Sequence, residues 1–126
     1  MLSDDDLERY ARQAIMPAIG EEGQEQLLAA RVLVVGAGGL GAPVIMYLAA
    51  AGIGTITIID HDRVSRTDLN RQVIYKDSDV GLLKSRQAAM AASAINPAIH
   101  VSQLGQRLGI GNVEQLLNAH DIVVDC

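Results

Sequence analysis

The sequence predicts a doubly wound parallel α/β sheet of the Rossmann type, and three observations carry that prediction. Short aliphatic runs, RVLVV and TITII among them, alternate with longer segments of helical character. The first run is apolar at nearly every position rather than alternating, as strands covered on both faces are. Between this run and the helix that follows lies GAGGLG, a G-x-G-x-x-G turn.

The elements follow in order. Ser3 with Asp6 reads as a capping box, and Leu7, Tyr10, Ala11 and Ala14 share one face of a first helix. Pro17 and Gly20 end it, and a second short helix fits Glu21 to Ala30 with Leu27 and Leu28 inward. This helical leader spans about residues 3–30. Arg31–Val35 is the first strand, Leu40–Ala51 a helix, and Thr55–Asp60 the second strand. After a polar segment, Leu82–Ile95 is an Ala-rich helix stopped by Asn96-Pro97. Ala98–Leu104 reads as a strand, Gly111–Ala119 as a helix and Asp121–Cys126 as a fourth strand. The result is two helices, then β-α-β-α-β-α-β, in one domain over residues 1–126. Complete sheets of this type commonly have six strands, so the pattern reads as a first half, truncated after the fourth strand.

Composition narrows the function classes. The chain has 126 residues, 49% of them hydrophobic, with no Phe or Trp and three Tyr. Its core is therefore built from Val, Ile, Leu, Ala and Met. A net charge of −5 argues against nucleic-acid binding, which needs clustered Lys and Arg. Cys126 is the only cysteine, which excludes a disulfide framework and suits a reducing compartment. The acidic start MLSDDDLERY lacks the layout of a secretory signal. Val32–Ile59 carry no charge for 28 positions, long enough for a membrane span, but six glycines and Pro43 interrupt them. A soluble, cytoplasmic protein is the expectation.

The chemistry starts at the glycine turn. Gly36 lets the chain reverse, Gly38 lets backbone approach a phosphate, and Gly41 lets helix pack on strand. The helix N-terminus beyond it presents unpaired N–H groups to an anion. Asp60 ends the second strand 19 residues after Gly41, where a ribose-binding acid belongs. To this point the sequence permits ATP and NAD equally. Arg71 and Lys84 separate them. NAD's pyrophosphate is served by the loop, whereas transfer of an α-phosphoryl group calls for cations aimed at a departing pyrophosphate. Both residues follow the C-terminal edge of the second strand and can converge on the mouth of the loop.

Several ordered motifs then carry a family resemblance: RYARQ, GQEQLLAARVLVVGAGGLG, TITIIDHDRV, LNRQV, KSRQAA, INPAIHV and DIVVDC. In them the chain resembles the N-terminal half of the ubiquitin-activating-enzyme-like adenylyltransferases. The nearest likeness is to the thiamin thiazole-synthesis branch, and the next to the molybdopterin-synthase branch. The resemblance implies activation of the C-terminal glycine carboxylate of a ubiquitin-like sulfur carrier, with ATP and Mg²⁺ consumed. It implies a nucleotide site of Gly36, Gly38, Gly39, Leu40, Gly41, Asp60, Asp62, Asp68, Asn70, Arg71, Gln72 and Lys84. Arg71 and Lys84 offset charge in the transition state. Arg12 matches an arginine that reaches the phosphates from a partner subunit, which implies a homodimer.

The chain departs from the family pattern at two positions. Where the family reads S-N-L-x-R-Q, this chain reads TDLNRQ, so Asp68 replaces an asparagine that contacts the nucleotide. A carboxylate near phosphates repels them unless a cation or Mg²⁺ intervenes, so the expectation is either weakened substrate binding or a nucleotide contact taken over in part by Asn70. Leu83 stands where a proline often precedes the lysine. The family's magnesium-binding Asp falls at position 128, and its zinc-binding Cys-x-x-Cys pairs also lie beyond Cys126. No metal ligand is expected within this chain: Cys126 reads as a buried strand residue rather than a nucleophile, and His61, His100 and His120 stand alone. Two further readings stay open. One is a catalytically incomplete nucleotide- or partner-binding module, which would lack carrier-dependent ATP–pyrophosphate exchange. The other is an NAD-binding oxidoreductase half-domain, indifferent to Arg71→Ala.

Overall fold

A computed structural model describes all residues, 1–126. Three short helices form the leader: α1 (Asp4–Arg9), α2 (Ala11–Ala14) and α3 (Gly20–Ala29). The Ser3–Asp6 capping box is present, with Asp6 N–H donating to Ser3 Oγ and Ser3 N–H donating back to Asp6 Oδ2. The single first helix expected from the sequence is instead broken at Tyr10. There the chain leaves helical geometry (φ −105°, ψ 16°) to bury the ring, and the hydroxyl accepts from Asn96 Nδ2 at 2.8 Å. In α3 the residue fully buried is Gln24, while Leu27 and Leu28 are half-buried. Gln24 and Gln13 both donate to Ala51 O, so buried amides tie the leader to the rest of the fold.

The remaining elements are β1 (Arg31–Val35), α4 (Gly41–Ala51), β2 (Thr55–Ile59), α5 (Lys84–Ile95), β3 (His100–Leu104), α6 (Val113–Asn118) and β4 (Ile122–Asp125). All strand pairs are parallel, in the order β3-β2-β1-β4. Val32 pairs with Ile56 and Ile122, so β1 is central and its aliphatic side chains are buried. The even-numbered residues of β1 and β2 (Val32, Val34, Ile56, Ile58) join Ala42, Ile45, Ala49, Ala88 and Ala92 in the core under α4 and α5. Small alanines on the inner faces let these two helices lie close to the sheet. The opposite face carries Leu33 and Thr57, and His120, just past α6, meets Thr57 Oγ1 there at 2.7 Å. The chain therefore changes face between β3 and β4, which is the doubly wound arrangement. No helix is long and apolar enough to cross a membrane.

Candidate functional site

The loop after β1 turns at Gly36, whose φ of +93° suits only glycine. Gly41 packs the start of α4 onto that turn, where a Cβ would lie 1.9 Å from Gly36 O. Between them Ala37 is held at both polar groups. Its N–H donates to Asp60 Oδ2 at 2.8 Å, and its carbonyl accepts from the Tyr75 hydroxyl at 2.6 Å. The next four backbone N–H groups, those of Gly38, Gly39, Leu40 and Gly41, have no acceptor within the protein. They stand at the positive end of the α4 dipole, so the loop is a cradle for an anion.

Asp60 follows β2 directly. Its Oδ2 takes the Ala37 N–H, and its Oδ1 takes the Asp62 N–H at 2.7 Å. An ionised carboxylate accepts about four hydrogen bonds, so Asp60 shapes the loop and keeps acceptor capacity. Beside it lies a crevice of about 210 Å³ lined by Val35, Gly36, Ile59, His61, Arg107, Leu108 and Cys126 among others. This is the topological switch point between β1 and β4, where open α/β sheets bind ligands.

A short 3₁₀ turn at Arg66–Asp68 brings up the cations. Arg71 is exposed and orients its Nη1 onto Thr67 O (3.0 Å) and Asn70 Oδ1 (3.1 Å). Its Nε lies 3.9 Å from where a Cβ on Gly39 would be. Gln72 is buried over Gly38, and its Oε1 has no hydrogen-bond partner. Lys84, the first residue of α5, is only 7% exposed and sets Nζ 3.4 Å from Asp68 Oδ2. Arg71 Nη2 lies 3.9 Å from the other Asp68 oxygen. The Ser65 N–H first, and then Lys84 and Arg71, hold the Asp68 carboxyl below its usual range. Asp68 thus comes with its own neutralisation: two cations flank one carboxylate.

The structure gathers Gly36, Gly38, Gly39, Leu40, Gly41, Asp60, Asp62, Asp68, Asn70, Arg71, Gln72 and Lys84 around this mouth. Arg12 is elsewhere. Its neighbour Gln13 bonds Ala51 O at the C-terminal end of α4, while the loop is at the N-terminal end. An 11-residue helix separates them by about 15 Å along its axis. Two expectations are corrected. Cys126 is exposed rather than buried, and its Cβ lies 3.6 Å from where a Cβ on Gly41 would be. Desolvation and then Asp125 push its thiol pKa up, which disfavours the thiolate. His61 is not alone: its ring, Asp60 and Asp62 place ligand atoms within 4.8 Å of one another, with Arg107 Nη2 2.9 Å from His61 Nε2. Sequence reasoning also missed Tyr75. The available signal was one of only three tyrosines in the chain, three positions after Gln72.

Fold and loop together define the class, a Rossmann-like α/β domain with a glycine loop shaped for an anion. Residues 10–126 match the ThiF family, and the chain belongs to that family. It is 47% identical to the SAMP-activating enzyme E1 of Haloferax volcanii, over 94% of this chain and 44% of that protein. It is 46% identical to the sulfur carrier protein adenylyltransferase of Thermus thermophilus, over 96% of this chain and 45% of that one. Among solved structures, the E. coli tRNA N6-threonylcarbamoyladenosine dehydratase TcdA in complex with ATP superposes with a TM-score of 0.92 at 33% identity. That match covers 100% of this chain and 51% of TcdA. The chain spans less than half the length of the two sequence relatives.

Proposed function

We propose that this chain is the nucleotide-binding part of an ATP-dependent adenylyltransferase that activates the C-terminal carboxylate of a ubiquitin-like sulfur-carrier protein. The observation that supports it most is the run of four unpaired N–H groups from Gly38 to Gly41, with Arg71 and Lys84 clustered on Asp68 in the adjoining segments. A dinucleotide site needs the loop and the ribose acid but has no use for that second cluster.

In this reading the loop N–H groups and the α4 N-terminus hold phosphate oxygens, and Asp60 accepts from the ribose hydroxyls. The orphaned Gln72 Oε1 gains a polar partner from the bound nucleotide or its water. A carboxylate oxygen of the carrier attacks the α-phosphorus, a P–O bond forms, and the bond to the β-phosphate breaks. The electron pair leaves on pyrophosphate. Arg71 and Lys84 stabilise that developing charge, which is where preorganised cations contribute most. Magnesium would accompany the bound triphosphate and offset part of its charge. Arg12, remote from its own loop, acts on the site of a second copy in a homodimer. Whether the carrier belongs to the thiamin or the molybdopterin branch is decided by offering both.

The test is ATP–pyrophosphate exchange dependent on the carrier, in the protein as encoded. Arg71→Ala lowers exchange by about 10²-fold, the scale of one lost transition-state charge contact. Mixing Arg12→Ala with Lys84→Ala restores part of the rate if the arginine acts in trans. Exchange near the native rate in Arg71→Ala refutes the assignment. MgATP binding without exchange favours a binding module instead.

A further inference from the structure

Tyr75 is buried at 5% exposure and has no part in the nucleotide contacts inferred above. Its surroundings are specific. The hydroxyl donates to Ala37 O at 2.6 Å, in the middle of the glycine loop, and lies 3.4 Å from Lys84 O at the start of α5. Its own N–H donates to Gln72 O at 3.1 Å, and Arg71 and Gln72 in turn donate backbone N–H groups to Asp68 O. One residue thus touches the three segments that build the mouth: its hydroxyl meets the loop and the helix start bearing Lys84, and its backbone N–H meets the turn bearing Arg71 and Gln72.

A hydroxyl has one proton to give, and the shorter contact takes it. Ala37 is completely buried, so its carbonyl has no water to fall back on. With Asp60 holding the same residue's N–H from the other side, the tyrosine fixes the orientation of the peptide that precedes Gly38. That peptide carries the Gly38 N–H itself and sets the direction of the three free N–H groups after it. Burial, with Asp60, Asp68 and Asp79 nearby, pushes the phenol pKa well up, so the group stays a donor at any working pH.

We propose that Tyr75 is a positioning residue that locks the glycine loop in register with the Lys84 end of α5, so that phosphate-binding N–H groups and cation meet the same anion. This rests on the nucleotide reading above. It predicts an effect on phosphate binding and not on the nucleoside.

The experiment measures calorimetric affinity for MgATP and for adenosine in the native protein and in Tyr75→Phe. The Phe variant keeps the ring in the core and removes only the donor. MgATP affinity falls about tenfold, the size of one lost buried hydrogen bond, while adenosine affinity changes less than twofold. Replacing Tyr75 by p-aminophenylalanine, which restores an N–H donor at the same place, recovers most of the loss. That variant also serves where the Phe variant folds poorly. Equal losses for MgATP and adenosine, unchanged MgATP affinity in Tyr75→Phe, or no recovery with the amine overturns the proposal. If the native protein does not bind MgATP, the nucleotide reading itself fails; if it binds MgATP and Tyr75→Phe leaves that affinity unchanged, the reading stands and the positioning role falls.

Discussion

Replacing Lys84 by Met separates charge from packing at the mouth. Methionine keeps an unbranched stem of similar reach, so the buried volume beside Tyr75 and Asp68 changes little. What disappears is an ammonium 3.4 Å from Asp68 Oδ2. At an effective dielectric of ~20 that contact has a gross Coulomb energy of about 5 kcal/mol. Most of it is offset in the folded protein by the cost of desolvating a lysine side chain that is 9% exposed. Asp68 also keeps the Ser65 N–H at 2.9 Å and Arg71 at 3.9 Å, so it is not left as an unpaired charge. The net loss of stability is therefore about 1–2 kcal/mol, below the ~3–5 kcal/mol typical of breaking an isolated buried pair. For a chain of this size that lowers Tm by about 3–10 °C. The effect on chemistry is larger. A cation placed for the leaving pyrophosphate contributes mainly in the transition state, so exchange falls about 10²-fold or more. Scanning calorimetry and pyrophosphate exchange, run on the same preparation well below its melting point, read the two effects separately. A folded Lys84→Met protein that exchanges within threefold of the native rate refutes the catalytic role. A rate loss no greater than the loss of folded protein makes Lys84 a purely structural residue.

Two further outcomes test the frame around the site. Gly52 ends α4 at φ +88°, and a Cβ there would lie 2.6 Å from the Tyr10 ring and 2.8 Å from Gln24 Nε2. Gly52→Ala combines a left-handed alanine with overpacking and destabilises by about 2–5 kcal/mol, seen as a drop in urea midpoint at unchanged slope. Asp68 supplies the acid-side test. Its folded pKa lies below its ordinary 3.8, so its contribution is fully present above that value and is lost as pH falls through the lowered one. In urea titrations between pH 5 and pH 2, Asp68→Asn loses less stability than the native chain; equal losses refute the pairing.

Much of the architecture was legible in the sequence because its signals are local. Strands are marked by aliphatic runs, helix ends by Ser3 and by Asn96-Pro97, and the anion loop by three glycines at fixed spacing. The order of motifs placed Asp60, Arg71 and Lys84 on the same side of the fold before any pairing was known. The misreadings arose where a distant partner overrode a local preference. Tyr10 falls on the apolar face of a continuous helix until Asn96, 86 positions away, draws its hydroxyl inward and breaks the helix. Gln24 looks like a surface residue until Ala51 O, 27 positions away, offers it a carbonyl. Cys126 reads as buried because its strand is apolar, and it is instead exposed beside Gly36 and Gly41 of the glycine loop.

By itself, then, the sequence determined the order of the strands and of the helices between them, the sheet type and the glycine loop, since each is written in neighbouring residues and their periodicity. Only the tertiary structure decided that Asp68 is shared between Lys84 and Arg71, that Tyr75 holds Ala37, and that Arg12 stands a helix length from its own loop. The reason is that parallel strands are joined by crossovers. Each crossover brings together side chains far apart along the chain, and their pairing depends on register and close packing that no short stretch of sequence records.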